Sequence, residues 1–152
     1  MQLQNKTLIK IIVVTVLAIL FIFSVIKSLP QKSPKTDNSL QQIVIQGNKG
    51  EVQLKNFYNQ VKGQVGDTMV LAETQDFHVV YFKKDQTFLI TLLSQPVSNA
   101  RDLAENEFLK QLEVDIGQAC SLKVTVRVPY SVDSDLSGKD YGLSFCPNAV
   151  SF

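Results

Sequence analysis

Residues 68–93 read TMVLAETQDFHVVYFKKDQTFLITLL, and this stretch decides the fold class. Three runs rich in β-branched and aromatic residues, 68–74, 77–82 and 87–93, are separated by short polar turns. Runs of this length between turn residues are typical of strands that follow one another in an antiparallel meander. The sequence therefore predicts three consecutive strands at the centre of a sheet.

Both faces of this predicted sheet carry apolar side chains. In the second run, Phe77 and Tyr81 point to one face while Val80 and Phe82 point to the other. The third run is apolar on both sides. Central strands of this kind are covered on both faces. We therefore expect either helices on both sides of the sheet or one face that binds a partner.

Two further elements are predicted ahead of the meander. Short β-type runs at 42–45 and 51–54 flank the turn sequence Gly-Asn-Lys-Gly at 47–50, which predicts a strand or hairpin. A shorter helix that ends near Gly63 is predicted next, because four apolar residues follow at helical spacing. These residues are Leu54, Phe57, Tyr58 and Val61.

The main helix is predicted after Pro96, with Ser98 or Asn99 as its N-cap. One face of this helix is apolar and consists of Ala100, Leu103, Ala104, Phe108 and Leu112. The other face carries opposite charges at helical spacing, and we expect it to lie in solvent. The charged residues are Arg101, Glu105, Glu107 and Lys110.

The C-terminal part of the chain predicts a terminal hairpin. Apolar residues alternate with polar ones over 122–130 and again over 141–145, which is the pattern of half-buried strands. Together, these elements predict a globular α+β domain over 41–152. It has an antiparallel sheet of about five strands, one main helix and a shorter one.

A single N-terminal transmembrane helix is predicted ahead of this domain. Residues 8–26 read LIKIIVVTVLAILFIFSVI, and this run at about 1.5 Å per residue nearly spans a hydrocarbon core of about 30 Å. We therefore expect a short tail and a membrane anchor over 1–27. Residues 28–40 contain two prolines and few apolar groups, which predicts a flexible tether between the anchor and the domain.

A cleaved signal peptide is the competing interpretation of residues 8–26. The apolar run is longer than a usual signal core, and 25–30 offers no small-x-small cleavage site, so an uncleaved signal-anchor is favoured. Lysines flank the segment on both sides, which nearly balances the positive-inside count. The short tail, with Lys6 and Lys10 close to the span, favours a cytoplasmic N-terminus and a globular domain outside the cytoplasm.

The distribution of charge and the absence of recognisable motifs argue against several classes of function. Beyond Lys10 the chain has thirteen basic and fourteen acidic residues without a basic stripe, which argues against nucleic acid as a partner. No catalytic, cofactor-binding or metal-binding motif stands out, and no cofactor is expected. Residues 133–138 resemble the first half of a calcium loop. Because Ser144 replaces the glutamate of the twelfth position, we expect a solvated loop instead.

Cys120 and Cys146 are the only cysteines of the chain, and both lie in the globular part. Outside the cytoplasm, such a pair suggests a disulfide. The predicted hairpin places Cys146 about five positions from Cys120, so a bond requires the chain at Cys120 to fold back or a different strand register. Buried free thiols remain the alternative, and a reactive or metal-ligating pair is a third.

His78 is the sole histidine and the centre of a weak candidate ligand site. Glu73 and Tyr81 lie near it in the predicted meander and complete this weak candidate. No neighbouring serine or cysteine motif indicates a nucleophile with His78 as its base, so a structural histidine is the simpler interpretation.

Three segments of the globular part resemble short, single-pass membrane-anchored bacterial proteins of unassigned function. They are ARDLAENEFL at 100–109, Ala119 with Cys120, and YGLSFC at 141–146. The resemblance implies a bacterial envelope setting and supplies no activity.

Two hypotheses of function follow from these features. The first is a membrane-tethered extracytoplasmic protein-interaction module of a bacterial envelope, anchored in lipid, that binds another envelope protein or itself. The second is a small-ligand or peptide-binding domain, or a minor enzyme, with a pocket near His78. A deep pocket that joins His78, Glu73 and Tyr81 would favour the second hypothesis, and an uncovered apolar sheet face would favour the first.

The predicted topology can be tested by adding a protease to intact, wall-stripped cells that express the full chain. We expect the globular domain to be digested while a cytoplasmic marker protein survives, because the domain is predicted to lie outside the cytoplasm. Immunoblotting against a C-terminal tag provides the measurement. Full protection of the tag until the membrane is dissolved would reverse the predicted orientation.

Overall fold

The computed structural model describes residues 42–152, so the predicted anchor and tether lie outside the described residues. No helix within 42–152 is both long and apolar enough to cross a bilayer. The strands of this part are β1 Gln42–Gly47, β2 Gly50–Lys55, β3 Gly63–Val65, β4 Thr68–Glu73, β5 Phe77–Phe82, β6 Thr87–Leu92 and β7 Val124–Arg127. The helices are α1 Val97–Leu112 and α2 Ile116–Ser121, and a 3-10 turn covers Tyr58–Gln60.

The strands form two sheets. The hairpin β1–β2 is one, and the other has five strands in the order β3-β4-β5-β6-β7. Neighbours in the larger sheet are antiparallel except for β6 and β7, which are parallel. The prediction of an α+β domain with an opening hairpin and a central meander is therefore confirmed for the described residues, whereas the parallel pair β6–β7 makes the predicted antiparallel sheet a mixed one.

A β-bulge in β4 decides which side chains share a face. Val70 pairs with Val80 and Ala72 pairs with Val79, which leaves Leu71 as the extra residue. Leu71 and Ala72 are both buried. A bulge places two residues of one strand opposite a single residue of its partner and so resets the alternation of faces.

One face of the five-stranded sheet carries the core. The buried residues of β5 and β6 alternate along each strand, and α1 packs over this face through Phe108, whose ring lies edge-on to Phe88 at 5.2 Å. Apolar side chains of the hairpin and of the C-terminal segment complete the same core. Each fully buried large apolar side chain contributes about 1.5–3 kcal/mol to folding through removal from water.

The predicted main helix is confirmed, but its cap and its outer face differ from the prediction, and Leu103, predicted on the apolar face, is exposed. Pro96 is the N-cap residue, and its carbonyl accepts from the backbone N–H groups of Asn99 and Ala100. Arg101 and Glu105 are only 5% and 4% exposed, so the expectation that they lie in solvent is wrong.

Arg101 and Glu105 form a buried ion pair that holds the C-terminal segment. The Nε–H of Arg101 donates to Glu105 Oε1 at 2.9 Å. Its Nη atoms donate to the carbonyls of Tyr141, Gly142 and Val150 at 2.9, 2.7 and 3.0 Å. Glu105 in turn accepts from the backbone N–H and the hydroxyl of Ser144. The charges are buried because this segment folds over them.

The return strand predicted over 141–145 is wrong, because this segment forms hydrogen bonds with the buried Arg101–Glu105 pair. Tyr141 and Leu143 are buried as the alternation predicts, but the carbonyls of Tyr141 and Gly142 bind Arg101. Gly142 has a φ of 58°, a left-handed conformation that a strand does not accommodate. The strand predicted in 122–130 is present as β7, and its partner is β6.

The shorter helix also lies elsewhere than predicted. Leu54 belongs to β2 and pairs with Ile43, Gly63 begins β3, and only the 3-10 turn separates the two strands. The short helix is α2, which begins after Asp115. The Asp115 carboxylate accepts from the Gln118 backbone N–H, and the Gln118 side chain accepts from the Asp115 N–H, so the two residues form a capping box.

Helix α2 brings Cys120 to Cys146. The two residues form a disulfide with a Cα–Cα distance of 5.5 Å, within the range that such bonds require. The short helix supplies the fold-back at Cys120 that a bond needs. The bond ties the C-terminal segment to α2 on one side, while Arg101 and Glu105 hold it to α1 on the other.

The substitution Glu105→Ala should lower the free energy of unfolding by about 3–5 kcal/mol, because it leaves the Arg101 guanidinium buried without its counter-charge. Pulse proteolysis of the full chain in detergent, across a urea series, measures this change. Asp102→Ala is the matched control, since Asp102 is exposed on the same helix. Equal stability of the two variants would show that the buried ion pair contributes nothing to the free energy of unfolding.

The disulfide closes a loop with a sequence separation of 26 residues, so its loss should lower the free energy of unfolding by about 3 kcal/mol. Alkylation of the unfolded chain followed by mass spectrometry should find no free thiol before reduction and two after it. The variant with both Cys120→Ser and Cys146→Ser should match the reduced wild type in stability. Thiol labelling of the unreduced, unfolded chain would contradict the bond.

Candidate interaction surface

The face of the five-stranded sheet opposite α1 presents an ordered set of side chains. Its part on β4 to β7 is here named the open face, and Val65 of β3, which pairs with Thr68 and is 82% exposed, lies beside it. Strand pairing arranges it in three rows. The central row is Val70, Val80, Leu89 and Thr125; one flanking row is Thr68, Phe82 and Thr87; the other is Glu73, His78, Thr91 and Arg127. Aliphatic and aromatic groups therefore lie at the centre, and a glutamate and an arginine lie at the rim.

Neither α-helix of the described region covers the open face. Helix α1 lies on the core face, and α2 contacts β2 of the hairpin. The four apolar side chains Val70, Val80, Phe82 and Leu89 are partly exposed and do not belong to the core cluster. The two-sided apolar pattern predicts either helices on both faces of the sheet or one face that binds a partner. Within residues 42–152, helices on both faces are not found.

Glu73 and His78 are neighbours on the open face. They are directly paired across β4 and β5, and His78 Nε2 lies 3.8 Å from Glu73 Oε1. Their side chains are 66% and 38% exposed, so both remain accessible. The bulge at Leu71 causes this pairing, because strict alternation from Val70 would turn Glu73 toward the core.

Tyr81, the third residue of the predicted ligand site, lies on the opposite face of the sheet. It is 1% exposed and packs against the rings of Phe57 and Phe88 at centroid distances of 5.1 and 4.8 Å. Burial raises the pKa of the Tyr81 phenol far above its ordinary value, and the neighbouring Tyr58 hydroxyl adds to this increase. The phenol is therefore neutral at physiological pH and separated from His78 by the sheet.

Glu73 also borders a surface cavity of about 340 Å³ between β4 and α1. Phe77, Leu103 and Gln111 line it, whereas His78 and Tyr81 do not. The three predicted ligand-site residues thus meet in no common pocket of the described region. In the same part of the chain, no three His, Cys, Asp or Glu side chains are grouped as metal ligands.

The loop that resembles half of a calcium site uses its first carboxylate for its own folding. Asp133 Oδ1 accepts from the backbone N–H groups of Asp135 and Leu136 at 3.0 and 3.1 Å. Asp133 Oδ2 accepts from the Gln95 side chain at 3.0 Å. These contacts are those of a structured turn.

Comparison of the chain with protein-family models, with curated proteins and with solved structures finds no match.

The sequence pattern indicates the apolar centre of the open face and two of its rim residues, Glu73 and His78, but not Arg127. Val80, Phe82 and Leu89 were recognisable from the two-sided apolar runs. The sequence does not place Arg127 beside these residues. Alternation indicates that its side chain lies on the face opposite the buried one, but it does not indicate which strand is the neighbour of β7. The signal that could have linked it is the helix between β6 and β7, since strands joined by a long helical connection are commonly parallel neighbours.

Proposed function

We propose that this protein is a membrane-tethered extracytoplasmic interaction module whose open face binds protein. The observation that carries the proposal is the open face itself, an apolar centre with a polar and charged rim that neither described helix covers. This composition matches the general anatomy of protein interfaces, in which an apolar centre is desolvated and a polar rim stays hydrated.

The size of the open face fits a modest interface. Three rows about 6.7 Å apart and four strands about 4.8 Å apart give a patch on the order of 400 Å². Only the centre of this patch is apolar, and an apolar patch of a few hundred Å² that is rimmed by polar residues is often an interaction site. Removing apolar surface from water contributes roughly 25 cal/mol per Å², so the four apolar side chains supply the main driving force for binding.

The predicted anchor and tether add a reason for binding at the membrane. Residues 28–40, if extended at about 3.1 Å per residue, could hold the domain up to about 40 Å from the bilayer. That distance clears the lipid headgroups and allows contact with the domains of neighbouring membrane proteins. The setting in a bacterial envelope rests on the sequence resemblance.

A small-ligand or peptide-binding domain is the second candidate, and the cavity beside Glu73 favours it. The cavity contains one feature suited to a ligand, the Gln111 Oε1 atom, which is buried and accepts no hydrogen bond among the described residues. The candidate ranks lower because His78 lies outside this cavity and Tyr81 lies in the core.

Site-specific photocrosslinking in living cells tests the proposed function. p-Benzoylphenylalanine replaces Thr87 or Thr91 on the open face of the full chain, and Val44 or Ile116 at exposed control positions outside the five-stranded sheet. We expect discrete protein adducts from the open-face positions and none from the controls. Adding Val80→Glu should abolish the adducts, because it places a charge at the apolar centre.

Val44→Glu is the matched control substitution, since Val44 is 52% exposed on the hairpin. Resistance to pulse proteolysis shows that each variant is folded. Absence of adducts from both open-face positions in the folded chain would refute the proposed function. Adducts that survive Val80→Glu would place the binding surface elsewhere.

A further inference from the structure

The charged row of the open face has opposite charges at its two ends. Glu73 pairs with His78, His78 with Thr91, and Thr91 with Arg127. Strand β3 reaches only Val70 of β4, so β4 is the edge of the sheet at Glu73. Three strand spacings of about 4.8 Å separate Glu73 from Arg127 by about 14 Å. Glu73 and Arg127 are the only Asp, Glu, Lys or Arg residues in the three rows, and the Asp140 carboxylate accepts from the Thr125 hydroxyl at 3.0 Å.

This arrangement is self-complementary under one symmetry operation. A two-fold axis that runs parallel to the strands, in the interface and between β5 and β6, places β4 of each copy opposite β7 of the other and β5 opposite β6. Glu73 of one copy then lies opposite Arg127 of the second copy, and the same contact occurs twice. The two Glu73 carboxylates remain a sheet width apart, so like charges do not meet.

We propose that the open face binds the open face of a second copy of this chain about that axis. This inference rests on the proposed function, since it names the partner of the same surface. The axis also places Val80 opposite Leu89 and Phe82 opposite Thr87, which buries the apolar centre of both copies. Two sheets packed face to face with nearly aligned strands are a common arrangement in proteins, and two-fold interfaces of this isologous kind are the commonest among homo-oligomers.

The area of the interface makes the dimer dependent on the membrane. Two open faces bury on the order of 800 Å² in total, below the roughly 1,200–2,000 Å² of stable interfaces between free proteins. Anchoring both copies in one bilayer raises their effective concentration and converts a weak contact into a populated one. The self-association is therefore a property of the anchored chain.

Charge reversal tests this arrangement. The full chain carries p-benzoylphenylalanine at Thr87, away from the charged row, and two differently tagged copies are expressed together. We expect an adduct that contains both tags and has twice the 17.0 kDa mass of the chain. Glu73→Arg or Arg127→Glu alone should reduce this adduct about fivefold or more, because each creates two like-charge contacts.

The double variant Glu73→Arg with Arg127→Glu should restore the adduct to within about twofold of the wild type, since both contacts again join opposite charges. Glu51→Arg is the control reversal, because Glu51 is exposed on the hairpin. A heterologous partner would not be recovered by the double reversal.

The outcomes separate the two proposals. Adducts that contain only other proteins overturn self-association and leave the proposed function standing. Adducts with both tags that ignore the single reversals overturn the two-fold arrangement. If the folded chain gives no adduct from either Thr87 or Thr91, both self-association and the proposed function are overturned.

Discussion

A sixteen-residue helix is about 24 Å long and about 10 Å wide, so α1 can cover roughly two strands on one face of a five-stranded sheet. It lies over β5 and β6. The hairpin and the C-terminal segment complete the core on that same side. The second face therefore receives neither described helix, although its central strands carry Val80, Phe82 and Leu89. This one-sided coverage is the constraint from which the open face follows.

Local pattern predicted the elements with strong periodicity. The opening hairpin, the meander and α1 are predictable from the sequence, because alternation or helical spacing extends over several residues in each of them. The shorter helix was misplaced, since Leu54 and Phe57 share helical spacing by coincidence while Leu54 already pairs with Ile43 in β2. The bulge at Leu71 left no sequence signal, yet it turns Glu73 to the open face. The charge at one end of this row therefore depends on a feature that is visible only in three dimensions.

The C-terminal region shows why charge is ambiguous in a helical pattern. Arg101 and Glu105 have the spacing of an exposed ion pair, and helical geometry places them at the edge of the apolar stripe that contains Phe108, a position that is buried only if another segment covers it. They are buried because the segment beginning at Tyr141 folds over them and supplies carbonyl and amide partners. A buried pair is tolerated only when its remaining hydrogen bonds are satisfied. Their burial is therefore a tertiary property, and local pattern cannot predict it.

The composition of the open face fits a reversible contact. Four threonines are interspersed with its four apolar residues, so the unbound face can be hydrated at many points. Permanent interfaces are larger and more apolar and resemble a domain core cut in half. A small, Thr-rich face with one charge at each end instead favours specificity and correct register over affinity. Such a face is suited to the proposed membrane-tethered module, because the predicted anchor would supply by local concentration what the small contact area does not.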